Sequence, residues 1–175
     1  MRTSRHKKAT HREGDVFSLA LHSGGFVPGV VARCSHENYG VLCYFFAPRL
    51  QCAPQFGDVQ RLRAKDYFWI VRSSDLALRD GHWPIIGRIE DWDTTAWPVP
   101  KFQSEPAWQR GKWWVVEYSQ EDHTEFVSKT YYGDSEPGFP EDGLAGCLYV
   151  EEKLTMLVDE AEQPDRVDRV RRSPF

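Results

Sequence analysis

Between Gly14 and Phe46 the apolar residues fall into three runs, Val16 to Leu21, Phe26 to Ala32 and Val41 to Phe46. In the first, Phe17, Leu19 and Leu21 alternate with Val16, Ser18 and Ala20. That period of two sends successive side chains to opposite faces of a strand, and the large residues predict one face turned to a core. Ser23-Gly24-Gly25 supplies a tight turn after the first run, and Ser35 to Gly40 a longer one after the second. The three runs are therefore predicted to form an antiparallel meander. Pro28 has no backbone donor, which predicts an edge position or a bulge for the second strand.

From Ala47 to Lys65 the pattern breaks at Pro48, Pro54 and Gly57, leaving room for one short helix or strand near Val59 to Leu62. Tyr67 to Val71 is apolar throughout, as in a strand covered on both faces. Ser73-Ser74-Asp75 is predicted to cap a single turn around Leu76 to Leu78. His82 to Ile89 reads as a fifth strand, with Pro84 at an edge or at its start. Glu90 to Pro100 mixes acids, tryptophans and prolines, the composition of an extended segment pinned by aromatic anchors, and 101–111 continues as loop. Lys112 to Tyr118 and Glu125 to Tyr131 form a second hairpin around the polar turn Ser119 to His123. After a Pro- and Gly-rich loop from Ser135 to Gly146, Leu148 to Glu160 has helical spacing.

The predicted class is α+β, predominantly β: a curled antiparallel sheet or SH3-like barrel core, with an added hairpin and one C-terminal helix. The expected organisation is a single β-rich domain over 13–163, made of a core (13–103) and an extension (104–163). A mobile basic tail (1–12) precedes it and a charged tail (164–175) follows.

Composition supports a folded body, since 41% of the 175 residues are hydrophobic and 14% aromatic. No window holds eighteen consecutive apolar residues and no apolar segment follows the basic N-terminus, so a cytoplasmic location is expected. Cys34, Cys43, Cys52 and Cys147 form no C-x-x-C pair and read as reduced thiols. Cys34 and His36 with Cys43 and Cys52 match no closed zinc spacing, so neither metal nor cofactor is expected. Charge is uneven. The first twelve residues hold five bases and no acid, whereas 90–162 holds seventeen acids against five bases. A short basic tail gives only weak, salt-sensitive contact with nucleic acid.

Catalytic patterns are absent from the sequence: there is no G-x-S-x-G, no phosphate-binding glycine loop and no H-E-x-x-H. Asp122-His123 with Glu125 and Ser128 reads as a solvated turn rather than an acid-base group, and Glu90, Asp91 and Asp93 lack the glycine-shaped loop of a cation site. The acidic stretch, interleaved with Trp92, Trp97, Trp108 and Tyr132, instead suits docking of a basic, nuclease-like protein. The candidate contact residues are Glu90, Asp91, Trp92, Asp93, Trp97, Glu121, Asp122, Glu125, Tyr132, Asp134 and Glu136.

Gly14-Asp15-Val16-Phe17, Gly29-Val30-Val31, Tyr44-Phe45-Phe46, and above all Gly81-His82-Trp83-Pro84-Ile85-Ile86-Gly87 followed by Pro98-Val99-Pro100-Lys101-Phe102, resemble the immunity protein 26 family of bacterial polymorphic toxin systems. The resemblance covers residues 13–103. It implies neutralisation of a cognate toxin by direct binding, without catalysis; no membrane partner is expected, and nucleic acid is disfavoured as a partner. In that reading Gly14, Asp15, Phe17, Gly81, Trp83, Pro84, Ile86 and Gly87 serve mainly the fold. The Gly-Asp-Val-Phe start also resembles SH3-like barrels of toxin endoribonucleases, although an RNA-cleaving face needs basic charge that the acidic body lacks. An SH3-like module binding nucleic acid or peptide is the other alternative.

Overall fold

A computed structural model describes residues 11–35 and 37–163. The expected N-terminal tail thus lies outside the described residues as far as residue 10, and so do His36 and the tail from 164. His11 and Arg12 belong to the folded body rather than to a tail: His11 is buried, and the Arg12 amide donates to the Asp15 carboxylate at 2.8 Å.

The meander forms as predicted, from β1 (Asp15–Ala20), β2 (Phe26–Ser35) and β3 (Gly40–Phe45). A short helix α1 (Phe56–Val59) and a 3-10 turn (Ala64–Asp66) lead to β4 (Trp69–Ser74), and α2 (Leu76–Arg79) to β5 (Ile85–Arg88). Then follow β6 (Phe102–Ser104), β7 (Trp113–Tyr118), β8 (Phe126–Gly133), β9 (Leu144–Ala145) and the long helix α3 (Cys147–Glu162). The main sheet is open, with order β5-β1-β2-β3-β4-β9, antiparallel except where β9 runs parallel to β4. A second sheet has order β6-β7-β8.

Several expectations change. β2 is an interior strand, not an edge. Its Pro28 stands one residue beyond the point where Phe45, the last residue of β3, pairs with Gly29. The Pro28 carbonyl accepts from the Phe46 amide at 3.1 Å, so the proline ring lies where the neighbouring strand gives out and costs no ladder bond. Pro84, by contrast, immediately precedes β5 on the sheet edge, as predicted. Asp75 occupies the position before α2, but its side chain makes no capping bond; it lies instead 3.6 Å from Arg79 and 3.8 Å from His11. Two loops hold strands. β6 interrupts 101–111, and β9 interrupts the stretch from Ser135 to Gly146.

The main sheet is buried on both faces rather than one. Phe17, Leu19, Val31, Cys43, Phe45 and Val71 pack against Val150, Leu154 and Val158 of α3. Val16, Val30, Leu42, Tyr44 and Ile70 point the other way, onto Trp97, Val99, Phe102 and Val116. The residue types of β1 fit this: its smaller alternate positions, Val16 and Ser18, are buried too, because the second sheet and the segment leading into it form a third layer.

Most of the sequence motif is absorbed by this packing. Trp83 is 1% exposed and stacks on Phe17 with ring centroids 5.5 Å apart. The Pro84 carbonyl accepts from Ser18, fastening β5 to β1, and Ile86 packs into the second core. Gly14 lies under the Trp92 ring, where an added Cβ would come within 3.0 Å, and Gly87 lies under Phe56, where it would come within 2.3 Å. Both glycines are required for close approach. Gly81 turns the chain at φ 75°, and the buried Asp15 carboxyl is pushed above its ordinary pKa, chiefly by burial.

Candidate partner-binding surface

Two buried arginines organise the acidic part of the chain. Arg33 on β2 donates from Nη1 to the Ala32 carbonyl at 2.6 Å, from Nε to Gln120 O at 2.7 Å and from Nη2 to Thr94 O at 2.8 Å. A guanidinium offers its donors in a rigid planar fork, so the carbonyls of residues 94 and 120 are drawn to one point. The Gln120 side chain completes the junction by accepting from the Val99 amide at 2.9 Å and donating to the Val99 carbonyl at 2.7 Å. Arg72 on β4 braces the same turn. It donates to His123 O at 2.9 Å, to Tyr118 Oη at 2.9 Å and to Asp142 at 2.8 Å, and its guanidinium carbon lies 3.7 Å from the Tyr118 ring centroid.

The segment bearing Glu90, Asp91 and Asp93 is thereby brought beside the turn bearing Glu121, Asp122 and Glu125. These acids differ in what they do. Asp93 accepts from the Thr95 amide and hydroxyl, which hold its pKa below the ordinary value. Burial works to raise the pKa of Asp122, but hydrogen bonds from Thr124 and Ser35 outweigh it and leave the group more acidic than usual. Glu90, Asp91, Glu121 and Glu125 are exposed, and their carboxylates have no partner among the described residues. They are the free negative charge of this end of the molecule.

Tyr132, Asp134 and Glu136 lie elsewhere. Tyr132 is near the far end of β8, and Asp134 and Glu136 lie beyond it, so most or all of the strand separates them from the turn, more than about 20 Å at the rise of an extended strand. Lys112 donates to Asp134 at 2.7 Å and lowers its pKa, and Tyr131 also bonds it. Glu136 accepts from Gln103 at 2.6 Å. Tyr132 is half exposed.

The tryptophans divide similarly. Trp108 is 83% exposed, as expected of an anchor. Trp97 is 5% exposed and packs edge-on to Tyr44 and Phe46, so it is a core residue and is withdrawn from the contact set. Trp92 stacks on Trp97 at 5.3 Å and is half-buried.

In the turn predicted to be solvated, Glu121 and Glu125 are exposed but His123 is not. His123 is fully buried, and its pKa is pushed down to about 4, mainly by burial, which outweighs the opposing effect of the Gly40 backbone. Asp122 spends its oxygens on Thr124 and Ser35 rather than on the imidazole, so no acid-base pair is assembled. Among the described residues no group of three or more His, Cys, Asp or Glu side chains is placed to hold a metal. His36 of the considered cysteine set is outside them.

Sequence reasoning missed Arg33 and Arg72, because an isolated arginine inside a strand carries no spacing signal. It also missed that Phe126, Val127 and Tyr131 of β8 face solvent.

Comparison with protein-family models matches residues 12–114, more than half of the chain, to the model described as Immunity protein 26. The match ends within β7, eleven residues beyond the stretch that carries the sequence resemblance. No curated protein and no solved structure matches the chain.

Proposed function

Since the chain belongs to the immunity protein 26 family, we propose that it neutralises a cognate bacterial toxin by binding it directly, with no reaction of its own. The observation that carries this reading is the set of unpaired, exposed carboxylates at Glu90, Asp91, Glu121 and Glu125, gathered from two distant segments through the Arg33 fork. A fold that spends a buried arginine on holding acidic loops together presents a preformed negative surface. Such a surface speeds and orients encounter with a basic protein, which suits a nuclease-like toxin. Trp108, exposed and aromatic, is an anchor candidate in the loop between β6 and β7, at the opposite end of β7 from the acidic turn. Binding would take place in the cytoplasm of the producing cell; no helix among the described residues is long and apolar enough to cross a membrane.

The test is co-expression and purification with the C-terminal domain of a large secreted protein, should the gene adjoining that of this chain encode one. Rescue of growth together with a stable complex supports the reading. Absence of a complex, or RNA cleavage by the purified chain itself, refutes it.

A further inference from the structure

Among the described residues the second sheet is sealed on one side and bare on the other. Beyond β6, the Gln103 amide donates to Pro140 O at 2.8 Å and the Asp142 amide to Gln103 O at 2.7 Å, so that edge is covered by the chain's own loop. β8 pairs with β7 alone, and no described residue bonds its outer edge. In an antiparallel strand half of the backbone donors and acceptors point to each side, so an edge strand of eight residues offers a row of them to any incoming chain.

Folded proteins usually blunt such an edge, and the other edges here are blunted. β5 is preceded by a proline and spans four residues, while β9 spans two. β8 has no proline, and Phe126, Val127, Tyr131 and Tyr132 are 47–59% exposed along it. Its single charge, Lys129, is carried back across the sheet. It sits 5.9 Å from the Trp114 ring and bonds Ser104 on β6, so it does not guard the edge.

We propose that the outer edge of β8 receives an extended, basic segment of the toxin, which adds a fourth strand to the second sheet. This rests on the immunity reading above. The occupant follows from charge: of the six carboxylates from Glu117 to Glu136, Lys101 pairs Glu117 and Lys112 pairs Asp134, which leaves Glu121, Asp122, Glu125 and Glu136 against Lys129. A second copy of this chain would bring that charge onto itself whether the two strands ran parallel or antiparallel. A strand alternating apolar with Lys or Arg residues would instead meet the exposed rings with one set of side chains and Glu125 with the other.

Two bulged positions allow a clean test. Val127 and Tyr132 have no Cα partner on β7, because the register shifts at Glu117/Tyr118 and at Trp113/Trp114. The variant Val127→Lys with Tyr132→Lys therefore alters the edge without touching a paired residue. Using the same C-terminal domain as probe, amide hydrogen exchange over 126–133 should slow at least tenfold in the wild-type complex. The double variant should bind at least tenfold more weakly with an unchanged melting temperature. Wild-type binding with unaltered exchange over 126–133 would overturn the strand-addition proposal and leave the immunity reading standing. Failure of the wild type to bind would remove both. Protection of 126–133 in the isolated chain as its concentration rises would assign the edge to a second copy and overturn the proposal.

Discussion

The indole Nε1 of Trp83 donates to the Glu151 carboxylate at 2.9 Å, with both side chains buried. The bond links the Gly81 to Gly87 motif, inside the family-matched region, to α3, outside it. Glu151 is also approached by His82 at 3.3 Å and His22 at 3.4 Å, so one acid on the helix gathers three donors from the main sheet's end. Removing a donor from a buried carboxylate exposes the full desolvation cost of that group. Trp83→Phe, which keeps the stacking on Phe17, should therefore lower stability by about 1–3 kcal/mol. Trp83→Ala should cost about 3–5 kcal/mol through the added cavity. Glu151→Gln, which still offers a carbonyl to the indole, should cost less than Trp83→Phe. Denaturant midpoints at constant slope would rank the three; equal stability of Trp83→Phe and wild type would show that the bond is not structural.

His123 makes stability depend on pH in a defined window. Its folded pKa of about 4 lies below the ordinary 6.5, so between those values the unfolded chain takes up a proton that the folded chain refuses. Stability should therefore fall as pH drops from 6.5 towards 4, by roughly 2–3 kcal/mol in all, and should level off below that for this group. Asp93, Asp122 and Asp134, whose pKa values are lowered, lose their contributions only below the ordinary carboxylate range. His123→Leu should flatten the slope between pH 4 and 6.5 in urea titrations; an unaltered slope would mean that the imidazole is solvated in the folded state.

Much of this arrangement was legible in the residues, and the part that was not has a physical reason. Alternation in β1 and the unbroken apolar run at β4 located strands because side-chain period is a local property. α3 was visible from the spacing of Val150, Leu154 and Val158 for the same reason. Burial of the second face of the main sheet was not visible, since Val16 and Val30 are covered by Trp97 and Phe102, residues more than sixty positions away. Trp97 was misplaced as a surface anchor because acidic neighbours at 90–93 suggest solvent, whereas the 3-10 turn at Thr94–Ala96 rotates the indole inward. His123 was misread similarly, its polar neighbours outvoting the two arginines that enclose the turn.

Arg33 tests whether the acidic surface is preformed. Lysine has one compact head and cannot satisfy the Thr94 and Gln120 carbonyls in the fork geometry. Arg33→Lys should cost about 2 kcal/mol of stability. It should also raise amide exchange in 93–97 and 119–124 more than elsewhere. Uniform exchange changes across the protein would indicate that the arginine supports the sheet generally rather than this junction.

Charge reversal separates the acids that hold the structure from those free to meet a partner. Glu121→Lys with Glu125→Lys, and separately Glu90→Lys with Asp91→Lys, alter exposed side chains without partners and should change stability by no more than about 0.5 kcal/mol. Each pair should weaken toxin binding at least tenfold, mostly by slowing association, and the loss should shrink as salt rises. Asp122→Lys behaves differently, because it strips the bonds to Thr124 and Ser35 and should destabilise the turn by about 1–3 kcal/mol. Association kinetics at two salt concentrations, beside thermal melts of each variant, supply the measurement. If both double reversals bind like wild type while remaining folded, the toxin does not dock on the acidic end gathered by Arg33.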